Sequence, residues 1–116
     1  MFYKNSYLEK MAEILQKRDV DTIVKQLTDE NEIFNIFRSD MDYIIEKYRE
    51  GAITYDEAKR NFEMLKAYVL TQLKYHFEKV KELAEHFGVT YENEELNDEL
   101  VEKIVEMLDK GEKSLN

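Results

Sequence analysis

Cysteine, proline and tryptophan are absent from this chain, and only three of its 116 residues are glycine. Without cysteine there is no disulfide framework, no thiol nucleophile and no thiolate metal site. With so few backbone breakers the chain reads as all-helical. Long apolar runs are missing too. The longest in the central segment, Ala67-Tyr68-Val69-Leu70, is far too short to span a membrane. The first residues, Met1-Phe2-Tyr3-Lys4-Asn5-Ser6, turn polar within four positions, so no secretory leader is expected. The expectation is a cytoplasmic protein without membrane contact. No serine, histidine and acid pattern suggests a nucleophile with its base, and there is no glycine-rich phosphate loop. The chain therefore reads as not an enzyme, with no cofactor.

What is present is a folded composition, with 43% hydrophobic and 37% charged residues. The length suits a single domain over 1–116 with one modest core. Isoleucine, asparagine, lysine, tyrosine and phenylalanine are used freely while arginine and alanine are scarce, a bias of AT-rich genomes that include many phages. Net charge is −9. It is concentrated at one end: from Glu85 onward, ten acids face three lysines.

The strongest pattern runs from Thr54 to Gly88. Thr54 and Glu57 form a capping box, with Ile53 and Ala58 placed for a hydrophobic staple. Apolar residues recur at Ala58, Phe62, Leu65, Val69, Leu73, Phe77, Val80, Ala84 and Phe87, one helical stripe. Gly88 is suited to a left-handed helix end. A helix over 55–87 would be a rod of about 50 Å.

Ahead of the rod, Ser6 to Glu9 reads as a capping box opening a helix over about 6–18, with Leu8, Met11 and Leu15 as its stripe and Tyr7 and Ile14 beside it. Asp19 caps a short amphipathic segment through Leu27. A helix over about 29–50 carries Ile33, Phe37, Met41, Ile44 and Tyr48, widened by Phe34, Ile36 and Ile45. Gly51 ends it, and the short link to Thr54 predicts a long antiparallel hairpin of 29–50 with 55–87. The last helix is expected over about 94–110, ended by Gly111, with 111–116 as a frayed tail. The fold class is thus a small all-α bundle built on that hairpin, with the terminal helices packed on it.

Candidate metal sites are weak. Asp19 and Asp21 suit a cap better than a metal, which needs more oxygen ligands. Glu82 and His86 share a helical face but lack further ligands. His76 lies near the buried stripe and reads as a histidine bonded to a neighbour. No metal is expected.

Lys81 to Thr90 has the pattern of the first helix and turn of a helix-turn-helix, but the next helix opens with Glu92, Glu94, Glu95, Asp98 and Glu99. Such a helix is repelled by phosphates, so direct DNA binding is not expected. The same corner, Gly88-Val89-Thr90 with Glu92, Leu96-Asn97 and Lys103-Ile104-Val105, resembles the C-terminal part of phage anti-sigma factors of the AsiA type over about a fifth of the chain. That resemblance implies a transcription regulator.

Two surfaces remain as candidate contacts. One is the acidic end: Glu92, Glu94, Glu95, Asp98, Glu99 and Glu102. The other is a face of the rod with Met64, Tyr68 and Tyr75, residue types enriched in interface cores. The functional expectation is a small acidic inhibitor or adaptor that engages a basic or nucleic-acid-binding protein. The rival is an assembly protein that self-associates through the rod. Monomer and homodimer stay open, because Phe77, Val80, Leu83, Ala84 and Phe87 extend past the 29–50 helix and need a cover. The terminal helices are the expected cover, through Leu8, Met11 and Leu15 or Leu100, Ile104 and Leu108; a second copy is the alternative.

Overall fold

A computed structural model of the chain describes residues 6–91 and 97–116. The fold is all-α, and the described residues form six α-helices: α1 (Ser6–Leu15), α2 (Val20–Leu27), α3 (Glu30–Arg49), α4 (Tyr55–Tyr68), α5 (Lys74–Phe87) and α6 (Asn97–Lys113). A π-helical segment, Val69–Leu73, joins α4 to α5 without a break, so Tyr55 to Phe87 is one continuous rod.

The rod starts and stops where its sequence signals place it. Thr54 accepts from the Glu57 N–H at 3.1 Å, and Glu57 Oε1 accepts from the Thr54 N–H at 3.2 Å. Ile53 and Ala58 are both buried, as a staple requires. At the other end Gly88 is left-handed (φ 68°), and the Val89 N–H reaches the Ala84 carbonyl at 2.8 Å. Gly51 (φ 78°) ends α3 by the same device, with Ala52 N–H on the Lys47 carbonyl at 2.9 Å. Asp19 and Asp29 cap α2 and α3 through the N–H groups of Asp21 and Glu32.

The π segment was not expected. The stripe Leu65, Val69, Leu73, Phe77 advances in three successive steps of four, and an α-helix would carry such a run steadily off its face. The i→i+5 turn of a π-helix is wider and takes up the excess. Val69 and Leu73 accordingly have no exposed surface, while Thr71 points outward and donates to the Ala67 carbonyl at 2.8 Å.

The order of contacts along the rod shows how its neighbours run. Tyr48 meets Tyr55 beside the turn, and Tyr7 of α1 lies against both Phe37 of α3 and Tyr68 of the rod. Further on, His76 meets the Leu27 carbonyl at the end of α2. Helix α6 packs against α3, α4, the π segment and α5. It is clasped to α4 by Lys66, whose Nζ lies 3.1 Å from Asp109 and 2.6 Å from Glu112.

Four expectations need correction. The first helix stops at Leu15, and its buried face is Tyr7, Met11 and Ile14; Leu8 and Leu15 are exposed. Ser6 does not complete a capping box with Glu9. Its N–H and Oγ instead donate to the two carboxylate oxygens of Asp40 on α3, at 3.0 and 2.6 Å. Gly111 does not end the last helix, nor is 111–116 frayed. Helix α6 runs on to Lys113, Gly111 and Leu115 are buried, and a Cβ at Gly111 would lie 2.3 Å from Met41 Sδ and 3.0 Å from the Phe62 ring. Glycine is there because three helices converge, so α3 and α4 approach α6 where a side chain would stand. Finally, the far end of the rod is covered chiefly by α2, with α6 beside it. Phe77, Val80 and Ala84 are buried there, but Phe87 stays exposed.

Candidate functional site

Adjacent positions on α1 differ by about 100° around the helix axis, so Tyr7 and Leu8 cannot both face the core. Tyr7 takes the inward place because Phe37, Tyr68 and His76 offer it ring contacts at 5.5–5.6 Å between centroids. Burial pushes its phenol pKa up, with Tyr68 adding to the shift. Leu8 and Leu15 are left on the rim, at 54% and 61% exposure.

Between that rim and the rod lies a groove of about 330 Å³. Its floor is Met11, Leu27 and Val80, and its far wall is Tyr68, Gln72, Tyr75 and Leu83. Tyr75 is 55% exposed. Lys79 Nζ lies 5.2 Å over the Tyr75 ring and pairs with Glu82 at 3.2 Å. His76 Nε2 is 2.9 Å from the Leu27 carbonyl, which fixes that nitrogen as the protonated donor. Burial lowers its pKa, and the bond to Leu27 opposes the shift only in part. The groove thus offers a neutral imidazole, a deeply placed phenol and apolar walls.

The sequence-derived candidates separate in space. Tyr68 and Tyr75 both line the groove, while Met64 is half-buried outside it. Asp98, Glu99 and Glu102 are exposed on α6. Asp98 adjoins Lys74 and Lys81 of α5, in a cleft that shares no residue with the groove. Glu92, Glu94 and Glu95 lie outside the described residues, and so does part of the corner that resembles anti-sigma factors. Leu8 and Leu15 as rim residues were missed. The one available signal was that Tyr7 and Ile14 form an equally good stripe beside them. Among the described residues no three histidine, aspartate or glutamate side chains converge to hold a metal, and no helix is long and apolar enough to cross a membrane.

Comparison with known proteins places this geometry in a family. Residues 1–115 match the AF0941-like family. An uncharacterized protein of Archaeoglobus fulgidus is 38% identical over 115 residues, spanning 99% of this chain and 100% of its own length. The solved structure of coding region AF0941 from Archaeoglobus fulgidus is similar in fold, with a TM-score of 0.74 and 38% identity, covering 98% of this chain and 97% of that one.

Proposed function

The chain belongs to the AF0941-like family, and we propose that it is a non-enzymatic protein-binding regulator, an adaptor or inhibitor acting in the cytoplasm, that seats an apolar segment of a basic partner in the groove between α1 and the rod. The observation that carries this reading is the rim. Leu8, Leu15 and Tyr75 are each more than half exposed around an apolar floor. Water excluded from such a rim contributes roughly 25 cal/mol per Å² of apolar area, and aromatic side chains with a polar tip suit a surface that must be wet when empty. The net charge of −9 favours a basic partner, with Asp98, Glu99 and Glu102 steering its approach more than adding affinity.

The test compares proteins retained from a native-host extract by the natural chain and by a Leu8→Ser/Leu15→Ser/Tyr75→Ser variant with the same circular dichroism. A partner lost by the groove variant, and weakened by Asp98→Lys/Glu99→Lys/Glu102→Lys, supports the reading; equal retention by all three sinks it. Self-association through the rod is the second reading, favoured by Leu70 and Phe87, which are 50% and 55% exposed. Sedimentation equilibrium separates the two. A dimer that persists at low micromolar concentration and dissociates in Phe87→Glu would promote self-association over regulation.

A further inference from the structure

His76 stands where α1, α2 and the rod meet. Its Nε2 is committed as a donor to the Leu27 carbonyl at 2.9 Å, so in the neutral ring Nδ1 carries the lone pair. The ring lines the groove between α1 and the rod, and Nδ1 is the nitrogen left for a proton or for an occupant's donor. Tyr7 of α1 and Phe77 of the rod meet it edge-on, at 5.5 and 5.1 Å between centroids. Turning the imidazole out of the groove would break these contacts together with the bond to Leu27.

The rest of the lining gives an occupant few polar groups. Lys79 is the one charged side chain among the described residues that line it, and its ammonium is shared between Glu82 at 3.2 Å and the Tyr75 ring. The other titratable groups of the lining are the phenols of Tyr7 from α1 and of Tyr68 and Tyr75 from the rod; α2 contributes Leu27, through its carbonyl. No carboxylate lines the groove among the described residues, so burial and the Leu27 bond govern the proton affinity of His76. A net charge of −9 draws a cation toward the molecule, and inside this groove a neutral acceptor receives it.

We propose that His76 is the polar anchor of the α1 groove: Nδ1 accepts a hydrogen bond from a cationic N–H of the docked segment, and acid, by placing a proton there, releases the partner. This role rests on the docking of a basic segment in the groove and specifies what that segment brings. The donor is a lysine ammonium or an arginine N–H beside the segment's apolar residues. Imidazolium has no acceptor and shares the sign of that donor, so it loses the bond and repels the group. Apolar groups that push water from the groove act in the same direction, because burying a cation costs more than burying a neutral ring.

The test uses a short synthetic peptide of leucine and lysine. Its readouts are nitrogen-15 shifts of the full chain, imidazole nitrogens included, and fluorescence anisotropy at pH 7.5 and 5.5. The expected result is shifts centred on Leu8, Leu15 and Tyr75, a displaced Nδ1 resonance and a lower His76 titration midpoint in the complex. Exposed His86 is the internal reference, and circular dichroism at pH 5.5 separates release from unfolding. Affinity falls by roughly threefold or more at pH 5.5. His76→Gln, which keeps a donor for Leu27 and an acceptor, binds alike at both pH values. A peptide seated at Leu8, Leu15 and Tyr75 with equal affinity at both, or with an unmoved His76 midpoint, overturns the anchor and leaves the docking reading standing. So does a pH dependence that survives in His76→Gln. Absence of shifts at those three residues up to about millimolar peptide sinks the docking and the anchor together.

Discussion

At the scale of single residues, His76 couples the fold to pH. Its imidazole is largely buried and donates to the Leu27 carbonyl, so the folded protein favours the neutral form and the pKa falls below its ordinary value. A depressed histidine pKa means that the unfolded chain binds the proton more readily. The stability His76 contributes is therefore complete above the unfolded value, about 6.5, and is lost as pH falls below it toward the folded value. Glu30 works in the opposite direction, because burial raises its pKa and its protonation in acid relieves the fold. Thermal midpoints recorded between pH 7.5 and 5.5 should decline, and His76→Gln, which keeps a donor for Leu27, should flatten that decline. An unchanged slope in the variant would show that other groups govern the pH response.

At the scale of elements, Asp40 matters most for α1. It is 1% exposed in the middle of α3, and its carboxylate holds both the N–H and the hydroxyl of Ser6. Asp40→Ala leaves those groups without that partner, at a cost of about 1–3 kcal/mol. Hydrogen exchange in the variant should quicken over Tyr7 to Ile14, while the amides of α4 keep their protection. Uniform loss of protection would show that Asp40 supports the whole core instead. Nothing in the sequence marks Asp40 as a tether for α1, since a partner 34 residues away leaves no local trace. The same limit explains Leu8 and Leu15. Periodicity defines a stripe to within one neighbouring position, and only Phe37 and Tyr68 decide that Tyr7 turns inward. The rod's ends were readable because caps are local: Thr54 with Glu57, and Gly88 with Val89, lie within four residues of one another. Gly111 misled because a glycine that ends a helix and a glycine that admits another helix look alike in sequence. The exposure of Tyr75 was readable as a flank of the rod, but the groove it faces required α1 to be in place.

At the scale of the whole molecule, the rod sets the shape. The long axis is 49 Å, against 26 and 19 Å across, and the radius of gyration is 15.5 Å. A compact chain of this length would have a radius of about 13 Å. The excess follows from one uninterrupted helix of about 50 Å that its neighbours cover in succession rather than surround. Helix α6 then has a consequence for the order of folding. The hairpin turn after α3 spans only residues 50–54, whereas Gly111 seats on Met41 across 70 positions of chain. Closing the longer loop costs about 2 kcal/mol more entropy, so α3 and α4 can meet early and α6 joins last. Until then Phe62, which abuts Gly111 of α6, lacks that wall, and a nascent chain that has not yet delivered α6 leaves it uncovered on that side. A fragment ending before Asn97 should accordingly bind the dye ANS and melt without cooperativity. Adding a peptide of residues 97–116 should restore a sharp transition; a fragment that already melts sharply would place α6 outside the folding unit.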